Sequence, residues 1–159
     1  MPLKTETEQK INNYDVVIAG AGYVGLTAAV AIKSARPDMK LLVVDAAPEG
    51  VWKKDVRAIA VAADACRMLR QLGCWDGLIG KVQPINEMVI TDSRVSDPVR
   101  PVFLTFAGDV TPGEPFAHMV ETRDLGAVLR KRADELGLEI REGVAVDPEA
   151  FKALVRAAA

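Results

Sequence analysis

The sequence predicts an α/β fold built around a parallel sheet. Short apolar runs at residues 15–19, 41–44 and 138–141 are typical of buried parallel strands, and helical patterns separate them. A GxGxxG spacing joins the first run to the first helix. Between residues 80 and 121, repeated prolines alternate with strand-like runs. We therefore expect a Rossmann-like unit that is interrupted by a small β-rich excursion.

The first element is a strand–helix–strand unit. The strand at 15–19 is rich in Val and Ile, and we expect both of its faces to be buried. The helix that follows is predicted to end before Pro37, and residues 41–44 form the second strand. In that helix, the residues that repeat at helical spacing and are expected to face the core are Val24, Thr27, Ala28, Ala31 and Ile32. Such units strongly favour a right-handed crossover.

Each glycine of the GxGxxG turn meets a physical need. Gly20 permits the tight turn, Gly22 lets a pyrophosphate approach the backbone, and Gly25 lets the helix pack closely on the sheet. The helix N-terminus offers free N–H groups to phosphates. Asp45 ends the second strand, where its carboxylate can accept hydrogen bonds from both ribose hydroxyls. A carboxylate at this position also disfavours a 2′-phosphate, so NADP is a less suitable ligand. The motif itself does not choose between FAD and NAD, and a glycine turn without a ligand is the alternative.

The rest of the chain alternates helices and strands. Residues 55–61 are interpreted as extended, and the amphipathic helix after them is predicted to end at Gly73. Within the excursion, strands are expected at 87–91, 102–106 and 116–120, and Gly108-Asp109 is interpreted as a loop. Another helix is predicted to end at Gly137, before the strand at 138–141.

Three parts of the chain differ in character. Residues 1–13 are polar and are interpreted as a tail. Residues 14–146 carry the α/β pattern, including the excursion at 80–121. Residues 147–159 begin with Asp147-Pro148, a favourable helix start, and predict a terminal helix.

Composition excludes several classes of function. The net charge of −2 and the absence of a basic cluster argue against nucleic acid and against an anionic membrane surface. Cys66 and Cys74 lack metal-ligand spacing and are interpreted as free thiols, so no metal site is expected. Residues 16–32 carry no charge, but glycines at their centre favour a strand feeding a helix over a membrane span. Residues 1–14 do not resemble a signal peptide.

Several segments together resemble one family. These are VIAGAGYVGLTAAVAIK, VVDAAP, KDVRAIAVAADACRMLRQLGCWD, INEMVITD and FAHMVETRDLGAVL, which cover roughly residues 14–146. They are similar, in order, to the N-terminal portion of the flavin-dependent aromatic hydroxylases of ubiquinone biosynthesis, within the p-hydroxybenzoate-hydroxylase class. The resemblance implies a FAD-binding domain in which residues 80–121 lie on the substrate side.

The resemblance also implies an activity. Members of the class bind FAD, use NAD(P)H as a transient reductant, and hydroxylate an aromatic ring with O₂. The implied substrate is a prenylated aromatic quinone precursor. From the resemblance alone, we expect a cytoplasmic protein that works peripherally at the inner membrane or in a biosynthetic complex.

The resemblance carries cofactor roles to particular residues. Gly20, Gly22 and Gly25 match the pyrophosphate turn, and Asp45 matches the ribose-binding acid. Arg57 matches the arginine of the DxRAxAL pattern, although Val61 replaces its usual leucine. Arg123 matches the arginine at the start of a later helix. A guanidinium suits a diphosphate because it donates parallel hydrogen bonds. No catalytic residue is assigned.

Other side chains receive structural interpretations. Without the resemblance, both arginines would be read as solvated surface charges. His118, the one histidine of the sequence, is interpreted as a packed or a surface residue in preference to a catalytic one. Tyr23 and Trp52 are interpreted as packing residues, although both could flank a cofactor. The methionines Met88 and Met119 are predicted to lie in the core.

Family members are considerably longer, and their second cofactor motif, a Gly-Asp pair followed by small residues, has no counterpart that we accept here. We therefore expect a chain that is truncated relative to the family and that lacks the full catalytic machinery. Three hypotheses follow: the N-terminal part of a FAD monooxygenase, a non-catalytic module that binds FAD or NAD, and a non-catalytic interaction subunit.

Overall fold

A computed structural model describes residues 14–146 of the chain. The predicted polar tail at 1–13 and the predicted terminal helix at 147–159 lie outside the described residues. The α/β architecture expected from the sequence is confirmed, with a parallel sheet and an antiparallel excursion.

The parallel sheet has the order β1-β2-β10. Its strands are β1 (Val16–Ala19), β2 (Leu41–Asp45) and β10 (Glu139–Glu142). Val16 of β1 pairs with Leu41, and Ile140 of β10 pairs with Val43. The three strand-like runs of the sequence therefore form one sheet, as predicted.

Burial differs between the strands of this sheet. Residues Leu41 to Val44 of β2 are all buried, whereas β1 is half-buried at Val16 to Ile18 and exposed at Ala19. The expectation that β1 is buried on both faces is wrong. The reason is its position, because β1 lies at an edge of the described sheet while β2 has a neighbour on each side.

Three helices accompany the strands: α1 (Tyr23–Ala35), α2 (Ala63–Gln71) and α3 (Thr122–Glu135). Helix α1 packs on α3 and against β1 and β2, and α2 packs against β3 (Ala58–Ala62) and β9 (Ala117–Glu121). Short 3₁₀ helices occupy Val51–Lys54 and Asp76–Leu78. The main cluster of buried side chains includes Leu26, Val30, Val43, Leu69, Leu78, Val120 and Leu129.

The predicted face of α1 is wrong. The helix buries Leu26, Ala29 and Val30, whereas Val24, from the predicted stripe, is 69% exposed. The first ten residues of α1 carry no charge, so periodicity in the sequence cannot choose which face is buried. Val24, Thr27, Ala28 and Ala31 instead form one wall of an apolar groove of about 510 Å³, whereas Ile32 packs against the core as predicted.

The second sheet is antiparallel and has the order β3-β9-β4. Its strands are β3 (Ala58–Ala62), β9 (Ala117–Glu121) and β4 (Gln83–Ile85). The extended interpretation of residues 55–61 and the strand predicted at 116–120 agree with β3 and β9 within a few residues. This sheet leads directly into α3, so it determines where α3 begins.

Two small ribbons complete the excursion. Strands β5 (Glu87–Thr91) and β6 (Val102–Ala107) form one, and β7 (Asp109–Thr111) and β8 (Glu114–Pro115) form the other. Met88 is 38% exposed, so its predicted core position is wrong: no described element covers this ribbon. Gly108 turns with φ of 105°, but Asp109 begins β7, which corrects the predicted loop. Met119 is half-buried.

Candidate functional site

A cleft of about 270 Å³ lies beside the glycine turn. It is bounded by the turn, the start of α1, the 3₁₀ helix at Val51–Lys54, and one face of α3. Its lining comprises Ala21, Gly22, Tyr23, Val24, Trp52, Asp55, Arg57, Thr122, Gly126 and Arg130. Two of these, Gly22 and Arg57, were predicted cofactor residues.

The three glycines occupy different environments. Gly20 has φ of 106°, a left-handed conformation that favours glycine, and its N–H donates to the carbonyl of Val44 at 2.7 Å. A Cβ on Gly25 would lie 2.0 Å from the carbonyl oxygen of Gly20. A side chain at Gly25 would therefore push the helix away from the turn, as the sequence argument requires.

Gly22 has ordinary extended backbone and an open side. It is the N-cap residue of α1 with φ of −72°, and a Cβ built there meets no atom within 4 Å. No steric clash or left-handed backbone therefore requires glycine. The free space lies where Gly22 lines the cleft, so a side chain would fill the region next to the α1 N-terminus. This arrangement suits a bound group that approaches the backbone closely.

Asp45 ties the end of β2 to the glycine turn. One carboxylate oxygen, Oδ2, accepts from the Ala21 N–H at 2.5 Å, and the other, Oδ1, accepts from the Ala47 N–H at 2.7 Å. A carboxylate offers about four lone-pair positions, so each oxygen can still accept a hydroxyl. Asp45 thus orients the turn while keeping acceptor capacity for a ribose.

Arg57 lies at the cleft in a bidentate pair with Asp55. Its Nε donates to Oδ1 at 2.9 Å and its Nη2 donates to Oδ2 at 2.7 Å. These hydrogen bonds from Arg57 hold the pKa of the Asp55 carboxyl well below its usual range. The Arg57 side chain is 80% exposed, so its fork can turn toward an anionic ligand without losing buried contacts.

The backbone of Arg57 is held more firmly than its side chain. The N–H and the hydroxyl of Thr122 both donate to the Arg57 carbonyl, at 2.8 and 3.0 Å. Thr122 is buried at the start of α3. The first turn of α3 therefore fixes the position of the Arg57 backbone, from which the side chain extends.

Arg123 is placed differently. Its Nε lies 2.6 Å from Oε2 of Glu121, and its side chain is 46% exposed. It is not among the residues that line the cleft. Of the predicted site residues, the structure places Gly22 and Arg57 in the cleft lining and joins Asp45 to Ala21, which also lines the cleft.

Sequence reasoning missed Arg130 and underestimated Trp52. The Arg130 guanidinium carbon lies 4.9 Å from the centre of the Trp52 ring, and Nη2 lies 2.7 Å from Oε1 of Glu142. The same Nη2 donates to the Ala21 carbonyl at 3.3 Å. A signal was present, because Thr122, Gly126 and Arg130 recur every four residues and so share one face of a helix.

His118 belongs to the packed interior. It is buried, its ring meets Trp75 edge-on at 5.1 Å, and its Nδ1 lies 3.7 Å from Sγ of Cys66. Burial lowers the pKa of His118, with Arg70 adding to the effect, and burial raises the pKa of the Cys66 thiol. Neither group has the exposure of a reactive side chain.

The described residues also bear on metal sites and membrane spans. Among residues 14–146, no group of three or more His, Cys, Asp or Glu side chains is arranged to hold a metal ion. None of the helices described here combines the length and the apolar character needed to cross a bilayer.

Comparison with known proteins agrees with this geometry. The chain is 37% identical, over 125 residues, to the ubiquinone hydroxylase UbiL of Rhodospirillum rubrum. The predicted family resemblance is confirmed. The match covers 77% of this chain and 27% of that hydroxylase, so the chain spans about a quarter of the relative's length. No family model matches the chain.

Solved structures of one hydroxylase and two monooxygenases have a similar fold. The anhydrotetracycline hydroxylase OxyS of Streptomyces rimosus is 28% identical, with a TM-score of 0.59 over 82% of this chain and 24% of its own. The p-nitrophenol 4-monooxygenase PnpA of Pseudomonas putida has a TM-score of 0.64 at 17% identity, over 80% of this chain and 31% of its own. The flavin-dependent monooxygenase PieE, solved with FAD and substrate, has a TM-score of 0.59 at 19% identity, over 82% and 24%.

The residues at the cleft fit one end of a dinucleotide. The open side of Gly22 can admit a diphosphate beside the α1 N-terminus, Asp45 has free acceptor positions for a ribose, and Arg57 can donate a planar fork. These are three separate features with complementary chemistry. The site therefore offers acceptor and donor groups whose chemistry is compatible with a ribose and a diphosphate.

Proposed function

We propose that residues 14–146 form the adenosine-diphosphate half of the FAD site of a flavin-dependent aromatic hydroxylase. The observation that carries the proposal is the open side of Gly22, in a turn that Gly20 and Gly25 shape and Asp45 orients. The sequence similarity to the UbiL hydroxylase, 37% identity over 125 residues, supports the same assignment. FAD supplies the redox chemistry when bound, and this chain supplies binding and orientation.

Within that proposal, each residue has a defined part. The N–H groups at the start of α1 and the backbone at Gly22 bind the diphosphate. Asp45 accepts the ribose hydroxyls, and Arg57 donates to the phosphates after leaving Asp55. Arg123 belongs to this set by family resemblance alone, since it does not line the cleft.

The finer activity is also a proposal. NAD(P)H serves as the reductant and O₂ as the oxidant, and the substrate is an aromatic ring of a prenylated ubiquinone precursor. The support is the name of the matched relative, a ubiquinone hydroxylase. We further propose a cytoplasmic location, peripheral to the inner membrane or to a biosynthetic complex, because such a substrate partitions into lipid.

We propose that this chain alone does not turn over. The volume of the cleft, about 270 Å³, is just below the range of roughly 300–1,000 Å³ that small-molecule and cofactor pockets span. It suits the adenosine end of FAD better than the whole cofactor. Incubation of the FAD-loaded chain with NADH or NADPH and the quinone precursor should therefore give no hydroxylated product.

The first experiment is a FAD titration of the purified chain, followed by flavin fluorescence and calorimetry, with NAD as competitor. Saturable binding should be lost in Gly22→Trp and Asp45→Ala, and kept in Asp38→Ala, whose exposed carboxylate pairs with Arg36. Preference for NAD would support a dinucleotide-binding module instead. No binding by a folded chain would support a non-catalytic interaction subunit.

A further inference from the structure

Arg130 links the glycine turn to three other elements. From α3, its Nη2 donates to the Ala21 carbonyl in the turn and pairs with Glu142 at the end of β10. Its guanidinium also stacks over Trp52 of the 3₁₀ helix. Glu142 in turn accepts from the N–H of Gly50 at 3.3 Å. The guanidinium is thus held from several sides.

The environment of Arg130 makes these contacts strong. The side chains of Arg130 and Glu142 are 16% and 13% exposed, so their interaction is much less screened than that of a surface pair. Gly126 faces Trp52, and a Cβ there would lie 3.5 Å from the indole. That distance is an ordinary van der Waals contact, so Trp52 packs directly against this face of α3.

One feature of Arg130 is unfavourable for stability. Its Nε is buried and has no hydrogen-bond partner among the described residues. Burying a donor without an acceptor is costly. The unpartnered Nε therefore offsets part of the stability that the other contacts of Arg130 provide.

Both backbone polar groups of Ala21, its N–H and its carbonyl, are hydrogen-bonded to side chains. The Asp45 carboxylate accepts a hydrogen bond from the Ala21 N–H, and the Arg130 guanidinium donates one to the Ala21 carbonyl. A carbonyl oxygen beside the diphosphate site would repel an anion, and a bound guanidinium offsets that repulsion. Together the two contacts restrict rotation of the peptide units on either side of Ala21.

We propose that Arg130 is a positioning residue for nucleotide diphosphates, which holds the Ala21 carbonyl so that the turn binds phosphate. This inference rests on the proposed function and deepens it. Trp52 and Glu142 keep the guanidinium in place. Lysine cannot replace it, because an ammonium has no planar face to stack on Trp52 and no fork to join Ala21 with Glu142.

The test compares ADP with adenosine as probes of the full chain. In calorimetric titrations, Arg130→Lys should weaken ADP binding by about tenfold, the loss expected for one charge-assisted hydrogen bond, and leave adenosine binding unchanged. Lys131→Gln is the control, since Lys131 is the next residue of α3 and its side chain is 80% exposed. It should bind both probes like the wild type.

A second measurement separates positioning from folding. In the ligand-free protein, Arg130→Lys should shift the amide resonances of Ala21 and Gly22 and speed their hydrogen exchange, while the amides of β2 remain unchanged. Arg130→Gln should change the resonances and the exchange rates of the same two amides, and it replaces the lysine variant in the test if that variant does not fold. Unchanged ADP affinity, or an equal loss for ADP and adenosine, would overturn the inference.

The two proposals fail in different ways. If the wild-type chain binds neither ADP nor FAD, the proposed function is wrong, and the assignment of Arg130 to a diphosphate site falls with it. If the wild type binds ADP and Arg130→Lys binds it equally well, the proposed function stands and the inference about Arg130 is wrong.

Discussion

Asp45 and Ala21 are joined by a hydrogen bond of 2.5 Å from the Ala21 N–H to the Asp45 carboxylate. The two residues lie 24 positions apart in the chain, at the carboxyl ends of the neighbouring strands β2 and β1. The acid that the sequence suggests as a ribose ligand is therefore also part of the glycine turn. This dual position makes Asp45 the most informative residue to alter.

Replacing Asp45 with asparagine should weaken FAD binding by about tenfold or more, the loss expected when hydrogen bonds to a charged acceptor become neutral. The amide oxygen can still accept from Ala21, so the fold should survive. Equilibrium titration by flavin fluorescence measures the change. Asp38→Asn removes an exposed carboxylate as the control, and equal affinity of the two variants would contradict the proposed ribose contact.

Gly22 and Gly25 should respond in opposite ways to alanine. Gly25→Ala places a Cβ 2.0 Å from the Gly20 carbonyl, and overpacking of this kind costs typically about 1–3 kcal/mol or more. Gly22→Ala meets open space, so the midpoint of thermal unfolding should stay near the wild-type value while FAD affinity falls. Thermal melts and titrations on the same samples test both halves, and a Gly22→Ala variant that binds FAD normally would refute the close approach of phosphate.

Arg57 and Arg123 can be separated by matched glutamine variants. Arg57 lines the cleft and Arg123 pairs with Glu121 outside its lining, so Arg57→Gln should cause the larger loss of FAD affinity. The loss should shrink as salt concentration rises, because both the ligand contact and the Asp55 pair are exposed. A larger effect at Arg123 would mean that the family correspondence is the better guide to the diphosphate contacts.

His118 should make the free energy of unfolding decrease as pH falls below its ordinary pKa of 6.5. Burial lowers its folded-state pKa below the ordinary value of 6.5, so the unfolded chain binds more protons as pH falls through that value, and the free energy of unfolding decreases. The decrease should level off once pH passes below the folded-state pKa.

Urea unfolding across this range measures the effect, and His118→Gln should flatten the slope because the sequence has one histidine. The charged groups that act on the ring are Arg70, which lowers its pKa, and Glu114, which raises it. An equally steep slope in His118→Gln would assign the dependence to carboxylates instead.

Local sequence patterns predicted the secondary structure well. The strands β1, β2, β9 and β10 lie within a few residues of their expected positions, because Val- and Ile-rich runs bounded by turn residues have few alternative structures. The glycine spacing predicted the turn for the same reason. Gly20 needs a left-handed backbone and Gly25 needs to be without a side chain, and these are demands on individual residues.

Choices between faces and partners were decided only by the tertiary structure. The first ten residues of α1 carry no charge, so packing on α3 selected Leu26, Ala29 and Val30 for burial and left Val24 exposed. The depth of burial of β1 depends on its neighbours in the sheet, which the strand itself does not encode.

The candidate site divides along the same line. The glycines and Asp45 are recognisable because their spacing reflects one strand–helix–strand unit, whose geometry is local. Arg130 contacts Ala21, which lies 109 positions away in the chain, and it also pairs with Glu142 of β10. The sequence determined which residues form the turn, and the tertiary structure decided which arginine braces it, because long-range contacts follow from packing and not from local spacing.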